Sequence, residues 1–258
     1  MARLPPHLEN WFYLLSQSWS PALRYHRKWG QKNPKQFCYW TLHGLWLNES
    51  GLGKLDYTFD PPQADFRTKL NQDPECLQRL NTVCPSLLPG QSNEQHQDRK
   101  VIKHGTCVMH YAAQDGIEEL SDGKGYLCTA ARLATEFNMS RYLKNTAIGK
   151  EYAVQDLISP IYDETKRVPY IHFLTNGGVN YLSEIYLFFN RHLNLISSPV
   201  RNHGWNTKVV YLGCDNNTHA LQLPEHTSAA AQTDKAQPDE AQGCTCAHNT
   251  KKTLGHKQ

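Results

Sequence analysis

Five runs of apolar and aromatic residues, some continuous and some alternating with polar residues, predict β-strands. They cover residues 11–19, 39–46, 168–174, 181–189 and 208–212. The first run ends at Ser20-Pro21, a turn signal. The second run would place His43 near the end of its strand, at the mouth of a cleft.

Other segments carry apolar residues at helical spacing. Residues 62–71 and 74–84 each have a proline near the first turn of the predicted helix. Residues 97–113 place Val101, His104 and Val108 on one helical face. Residues 126–137 are amphipathic, and a helix over 152–159 should stop at Pro160. The mixture predicts an α+β fold, with an antiparallel β-sheet packed with helices.

The composition changes at about Pro224, where alanine, glutamine, threonine and charged residues replace large apolar ones. Such a segment cannot bury enough surface to order itself. We therefore predict one folded domain over residues 1–223 and a disordered C-terminal tail over residues 224–258. A chain of 258 residues is long enough for one such core.

The net charge of +3 is too small to indicate a nucleic-acid-binding surface. Basic residues do cluster at positions 24–35, but a run of this kind is more often a solvated face than a phosphate-steering patch. Eight cysteines occur without a Cys-x-x-Cys spacing, which favours disulfides over a zinc site. We expect no metal and no cofactor.

Three glycosylation sequons, at Asn48, Asn138 and Asn216, would be acceptors in a secretory protein, but chance alone also produces such sequons in a chain rich in asparagine. The N-terminus lacks the apolar segment of a signal peptide, and no run is long enough to cross a membrane. These features leave two alternatives, a secretory protein whose presequence is missing from this sequence or a cytosolic protein, and the cysteine content favours the secretory pathway. We expect a secreted protein or one of the lysosomal or endomembrane lumen, and the sequence leaves its oligomeric state open.

Two stretches carry a histidine before a glycine: Tyr-Trp-Thr-Leu-His-Gly-Leu-Trp at residues 39–46 and Lys-His-Gly-Thr-Cys at residues 103–107. Two imidazoles from distant parts of a chain can cleave RNA without a metal. A neutral one removes the proton of a ribose 2′-hydroxyl, and a protonated one donates a proton to the departing 5′-oxygen. With an ordinary pKa of ~6.5, histidine suits both tasks. The eleven other histidines, His96 among them, lack such flanking motifs and receive no role.

The two stretches resemble the catalytic segments of the ribonuclease T2 family. This resemblance implies a T2-like fold and an endoribonuclease that cleaves single-stranded RNA through a 2′,3′-cyclic phosphate. It implies that His104 is the general base, His43 the general acid and Lys103 the group that stabilises the phosphorane. In the family, the aromatic residue equivalent to Trp46 stacks on a base, a contact worth ~1–3 kcal/mol.

The chain departs from the family in its second segment, which usually reads His-Glu-Trp-x-Lys-His-Gly-Thr-Cys. Arg99 stands in place of the accessory histidine, and Lys100 stands in place of the acid. In a helix Lys100 would share a face with His104. Its charge could stabilise the phosphorane but would disfavour the protonated form of His104. The alternative to an attenuated enzyme is therefore an inactive T2-like protein that binds RNA or signals.

The resemblance also bears on the disulfides, although eight cysteines allow 105 pairings. Family members join the cysteine of His-Gly-Thr-Cys to one that follows the first motif. No cysteine follows closely here, so the expected partner of Cys107 is Cys76 or Cys84. Cys214 lacks its family partner, which makes Cys244 or Cys246 in the tail its expected partner.

Overall fold

A β-sheet with helices packed against one of its faces is the main feature of this computed structural model. The structure describes residues 11–26, 32–48 and 65–214. The strands are β1 Phe12–Trp19, β2 Trp40–Asn48, β3 Lys150–Ala153, β4 Tyr170–Asn176, β5 Val179–Phe189, β6 Leu195–Ile196 and β7 Lys208–Tyr211. The helices are α1 Phe66–Asn71, α2 Pro74–Val83, α3 Asn93–Lys100, α4 Thr106–Gln114, α5 Gly123–Glu136, α6 Met139–Tyr142 and α7 Val154–Thr165. A π-helical turn, Val101–Gly105, joins α3 to α4.

The sheet runs in the order β2-β1-β5-β7-β3, and β4 and β6 also pair with β5. Its pairings are antiparallel except for the single parallel pair between Tyr181 on β5 and Val210 on β7. The predicted α+β class is confirmed. All five predicted strands are present, and the short strands β3 and β6 are additional.

Alternation along the strands separates two apolar clusters. Tyr13 and Leu15 of β1 face the main core, which includes the buried faces of the helices. Phe12 and Leu14 point to the opposite face, where they form a smaller cluster with residues of β2, β4 and β5. Successive side chains of a strand alternate between its two faces. Polar residues at alternate positions of the strands therefore share this second face with Phe12 and Leu14.

The helix predicted over residues 97–113 is longer than expected, because α3, the π turn and α4 follow one another from Asn93 to Gln114. A capping box at Ser92 and Gln95 explains its earlier start. The prediction that Pro160 ends a helix was wrong, since it lies inside α7. Ile158 and Ile161 on either side of it are buried, and this packing outweighs the one hydrogen bond that proline removes.

Both disulfide assignments were wrong. Cys76 is joined to Cys128, and Cys38 is joined to Cys214. Cys76 lies on the buried face of α2, which packs on α5, and its Cα is 5.5 Å from that of Cys128, an ordinary distance for a disulfide. Cys84 and Cys107 are buried and belong to neither bridge.

Contacts divide the chain into one unit from Met1 to Leu221 and another from Gln222 to Gln258. The second unit, the predicted tail over residues 224–258 and the sequon at Asn216 lie outside the described residues, so the disorder of the tail stays a prediction. Within the described ranges, no helix has the length and apolar character that a membrane crossing requires.

Candidate active site

His43 is the extra residue of a β-bulge on β2. Ser16 of β1 pairs with Gly44, and the next residue, Gln17, pairs with Leu42, so His43 has no opposite residue in the register. A bulge bends the strand and redirects the side chain that it carries. His43 is therefore in the middle of β2, and the prediction that it lies near the strand end was wrong.

The imidazole of His43 meets a carboxylate that the sequence analysis missed. Its Nδ1 is 2.7 Å from Oε1 of Glu184 on β5, and the intervening strand β1 contributes two hydroxyl donors. Ser16 Oγ donates to Oε2 at 3.1 Å, and Ser18 Oγ donates to Oε1 at 3.2 Å. The carboxylate of Glu184 is thus held from two strands.

Electrostatics keep the buried Glu184 ionised. Burial by itself raises the pKa of this carboxyl group, but the charge and hydrogen bond of His43 outweigh burial, with further help from His172 and Tyr186. The net effect holds the pKa of Glu184 well below its usual range. In turn, burial and the Glu184 carboxylate raise the pKa of Tyr186, which donates a hydrogen bond to it. A buried charge is stable only when it is paired in this way.

A cavity of about 70 Å³ opens beside this pair. Its walls come from β1, β2, α3, β5 and the loops that follow β1 and α2. The lining residues are Ser18, Leu23, His26, Leu42, His43, Leu87, His96, Lys100 and Glu184. The volume exceeds that of one water molecule several-fold, and three histidines, one cation and one anion face into it.

His96 is a second residue that the sequence analysis left without a role. It lies on α3, one helical turn before Lys100, and is 6% exposed. Burial lowers its pKa to about 3, and the charges of Lys100, His43 and Arg99 act in the same direction. His96 is consequently a neutral imidazole above about pH 4 and can donate or accept a hydrogen bond there without carrying charge.

The π turn presents the second motif to β2. Thr106 donates its backbone N–H to the carbonyl of Val101, five residues earlier, and π turns of this kind are frequent at functional sites. The ring of His104 is 4% exposed, and its centroid lies 5.2 Å from that of Trp46. The ring of His43 lies at the same distance from Trp46, edge-on. Trp46 is therefore the common neighbour of both motif histidines.

Gly44 permits this close arrangement. A Cβ atom at position 44 would lie 3.2 Å from the Trp46 ring and 3.8 Å from Cδ2 of His104. Trp46 is 4% exposed and packs with Phe12 and Phe188 on the outer face of the sheet. Its ring is close to both imidazoles, and stacking on a base stays a prediction that would require the ring to be uncovered.

The basic residues of the second motif occupy different surroundings. Lys100 is half-buried in the cavity wall, whereas Lys103 and Arg99 are exposed and do not line it. Among the described residues, no cluster of three or more His, Cys, Asp or Glu side chains could hold a metal ion. The site instead offers a paired imidazole, a neutral imidazole and a cation, a set suited to proton transfer beside a phosphate.

Comparison with known proteins identifies relatives of this chain. The model of the ribonuclease T2 family matches residues 10–198. A zebrafish (Danio rerio) protein, "Ribonuclease T2", is 27% identical over 166 residues, which are 62% of each chain. The match thus spans somewhat less than two thirds of that relative.

Solved structures of similar fold include ribonuclease MC1 from bitter gourd seeds, with a TM-score of 0.60 and 20% identity over 78% of this chain and 100% of that one. The S3-RNase of Japanese pear has a TM-score of 0.59 and 20% identity, covering 81% and 98%. The self-incompatibility-associated SF11-RNase of Nicotiana alata has 0.59 and 19%, covering 80% and 100%.

Proposed function

We propose a function that starts from one premise: this chain belongs to the ribonuclease T2 family. Family and fold together support an RNase-like function. The specific proposal is that the protein cleaves single-stranded RNA by transesterification to a 2′,3′-cyclic phosphate, without a metal ion.

In this mechanism His104 removes the proton of the ribose 2′-hydroxyl, and the resulting oxygen attacks the neighbouring phosphorus. His43 donates a proton to the departing 5′-oxygen as the bond between phosphorus and that oxygen breaks. Lys103, which is exposed beside His104 on the π turn, balances the charge that develops on the phosphorane oxygens from outside the cavity. One observation carries the proposal: both imidazole centroids lie 5.2 Å from Trp46, although about sixty residues separate them in sequence.

For the substrate, we propose that a phosphate of the RNA enters the cavity beside His43 and contacts Lys100. Arg99 would contact the RNA outside this cavity. Variants of RNase MC1 have been solved in complex with 5′-GMP and 5′-UMP, and RNase NT in complex with 5′-AMP. Nucleotide phosphates bound to proteins of this fold support an RNA substrate here. Trp46 would stack on a base once its ring becomes accessible.

A second candidate is an RNA-binding protein without catalytic activity, and the position of Lys100 favours it. This lysine lines the cavity at the position where the family has an acid. A cation there retains affinity for phosphate, while the carboxylate that assists the family reaction is missing.

Both candidates are tested by incubating the protein with a fluorescent single-stranded RNA in EDTA between pH 4 and 8. The proposed function requires fragments that end in a 2′,3′-cyclic phosphate, and it requires His43→Ala and His104→Ala to abolish them. Fluorescence anisotropy with the same RNA measures binding separately. Binding without cleavage by the wild-type protein would select the second candidate, and loss of cleavage in EDTA would refute the metal-free mechanism.

For the compartment, we propose secretion or residence in the lysosomal or endomembrane lumen, which the two disulfides support. The sequons differ in accessibility. Asn48 is fully buried, so a glycan on its amide is incompatible with this fold. Asn138 is half-buried and caps α6 by accepting from the Ser140 N–H, and it is the more accessible of these two acceptors.

A further inference from the structure

We propose that Glu184 is a positioning residue for His43, which holds this imidazole in its protonated form and directs Nε2 toward the substrate. This inference rests on the proposed function, in which His43 is the general acid. Glu184 lies outside both catalytic motifs, on β5, and reaches His43 across β1.

The geometry makes Glu184 a fixed anion. Each carboxylate oxygen accepts a hydroxyl hydrogen bond from β1, Oε2 from Ser16 and Oε1 from Ser18. Tyr186, two residues along β5 on the same face, adds a third donor. Because these donors are built into paired strands, the carboxylate keeps its orientation when His43 gains or loses a proton, so little reorganisation accompanies proton transfer.

The contact with Glu184 also selects the proton-donating atom of His43. Nδ1 lies 2.7 Å from Oε1, within ion-pair distance, and a carboxylate this close favours a hydrogen on Nδ1. Nε2 is then the atom that exchanges a proton with the substrate. The hydrogen bond of one ring nitrogen generally sets the role of the other in this way.

Other charged and titratable groups face the same imidazole. From α3 come Lys100 and the neutral His96, and His26 follows β1 in the same cavity wall. His104 is a neighbour of the same Trp46 ring as His43, and His172 acts on Glu184. Lys100 opposes the protonation of His43, but Glu184 is in direct contact with the ring. Since Coulomb energy falls with distance, the carboxylate dominates.

Glu184→Gln tests this role because it removes the charge while keeping an oxygen that can accept from Nδ1. We expect the alkaline limb of the pH–rate profile to move to lower pH by about one to two units, the usual effect of one adjacent opposite charge. At pH 7 kcat should fall about tenfold, whereas KM should not rise, because Glu184 is an anion in the wall of the cavity that the phosphate enters and contributes no attraction to that phosphate. Glu184→Asp, which retains the charge, should recover part of the shift.

Asp115→Asn is the matched control. Asp115 also pairs its carboxylate with a cation, Arg191, through contacts of 2.8 and 2.6 Å, and it lies at the end of α4 outside the cavity. The same chemical change there should lower the melting temperature and leave the pH–rate profile in place. If Asp115→Asn moves the alkaline limb as much as Glu184→Gln does, the effect is structural and the proposal is wrong.

An NMR titration of the His43 ring nitrogens in the wild-type protein provides a test that needs neither a folded variant nor activity. We expect a midpoint above the ordinary 6.5, with Nδ1 protonated throughout. A midpoint at or below 6.5 would overturn the proposal even if RNA is cleaved. A raised midpoint in a protein that cleaves no RNA would refute the proposed function and leave Glu184 as the group that holds His43 protonated.

Discussion

Lys100 is the cation in the cavity wall, and its positive charge disfavours the protonation of the imidazoles beside it. It shares the cavity wall with His43, and its charge helps to keep His96 neutral. It also lowers the pKa of the Cys84 thiol against the larger effect of burial, which raises that pKa to about 11. One cation therefore influences several groups around the proposed phosphate site.

Lys100→Glu should increase RNA cleavage. The change places a carboxylate where the family has one and removes a cation that opposes the protonation of His43, the proposed general acid in the same cavity wall. A tenfold gain in rate corresponds to ~1.4 kcal/mol of transition-state stabilisation, which one well-placed polar group can supply. Steady-state kinetics across pH 4 to 8 would measure the gain, and the His96 titration should move upward from about 3 in parallel.

Lys144→Glu, at an exposed position after α6, is the control for the change in net charge. It should leave the cleavage rate unaltered. The gain from Lys100→Glu should also vanish in combination with His104→Ala, because the carboxylate acts only together with the base. An unchanged rate and pH profile in a folded Lys100→Glu protein would contradict this role for position 100.

His96 should make the fold sensitive to acid. Its pKa is about 3 in the folded protein and 6.5 in an unfolded chain, so the unfolded state binds the extra proton between these values. Stability is therefore complete above pH 6.5 and falls as the pH drops through this window. When the pH falls from 6.5 to 5, the free energy of unfolding should decrease by about 1.5 kcal/mol more in the wild type than in His96→Gln.

Urea unfolding at several pH values would measure this difference, with His192→Gln at an exposed position as the control. The control should follow the wild-type dependence on pH. Parallel curves for wild type and His96→Gln would mean that His96 is already protonated in the folded protein at pH 5.

Sequence analysis could find His43 and His104 because short motifs flank them, but it could not select Glu184. That acid stands in an apolar strand run with no motif around it, and its partner is 141 positions away in the chain, across a strand that lies between them. One signal was available: an ionisable residue on a strand that is otherwise apolar needs a buried partner. His96 was hidden among thirteen histidines.

At the scale of elements, two irregularities position the motif histidines. The bulge on β2 redirects His43, and the π turn between α3 and α4 brings His104 against Trp46. Hydrophobic periodicity predicts a strand and a helix in these two places but not the irregularity within each. In β2 the core residues Leu42 and Leu45 are three positions apart, whereas Trp40 and Leu42 are two apart, so the inserted residue shifts the alternation of the strand.

Gly105→Ala should disturb the π turn. A Cβ there would lie 3.0 Å from the Tyr126 ring, which is 1% exposed and fixed by a 2.8 Å hydrogen bond from its hydroxyl to the Leu45 carbonyl. Alanine favours a helix by ~1 kcal/mol over glycine. Overpacking costs ~1–3 kcal/mol. We expect a net loss of about 1 kcal/mol and reduced cleavage, because His104 must move with the turn.

Thermal unfolding and kcat of Gly105→Ala should be compared with those of Gly213→Ala, where an added Cβ meets nothing within 4 Å. The control should match the wild type in both measurements. A higher melting temperature for Gly105→Ala would indicate that the helix propensity of alanine outweighs the steric contact of its Cβ with Tyr126 and that the Tyr126 ring can move away.

At the scale of the whole molecule, the disulfides join parts of the fold that sequence analysis could not bring together. Cys38–Cys214 links the segment before β2 to the segment after β7, and the two cysteines are 176 residues apart in sequence. Cys76–Cys128 links α2 to α5 over 52 residues. Which cysteines pair depends on how the elements pack in the tertiary structure. The sequence pattern does not show this packing, so the pairing taken from the family gave the wrong partners.

Removal of the Cys76–Cys128 bridge should destabilise the domain strongly. Closing a 52-residue loop in the unfolded chain is worth about 4 kcal/mol by the chain-entropy model, and native disulfides typically contribute 2–4 kcal/mol. We expect Cys76→Ser with Cys128→Ser to lower the free energy of unfolding in urea by about 3 kcal/mol. The bridge joins α2 to α5 in the main core, away from the cavity residues, so the pH–rate profile should keep its shape. Peptide mapping of the unreduced wild type must find Cys76 joined to Cys128, and a peptide that joins Cys76 to Cys107 would contradict this architecture.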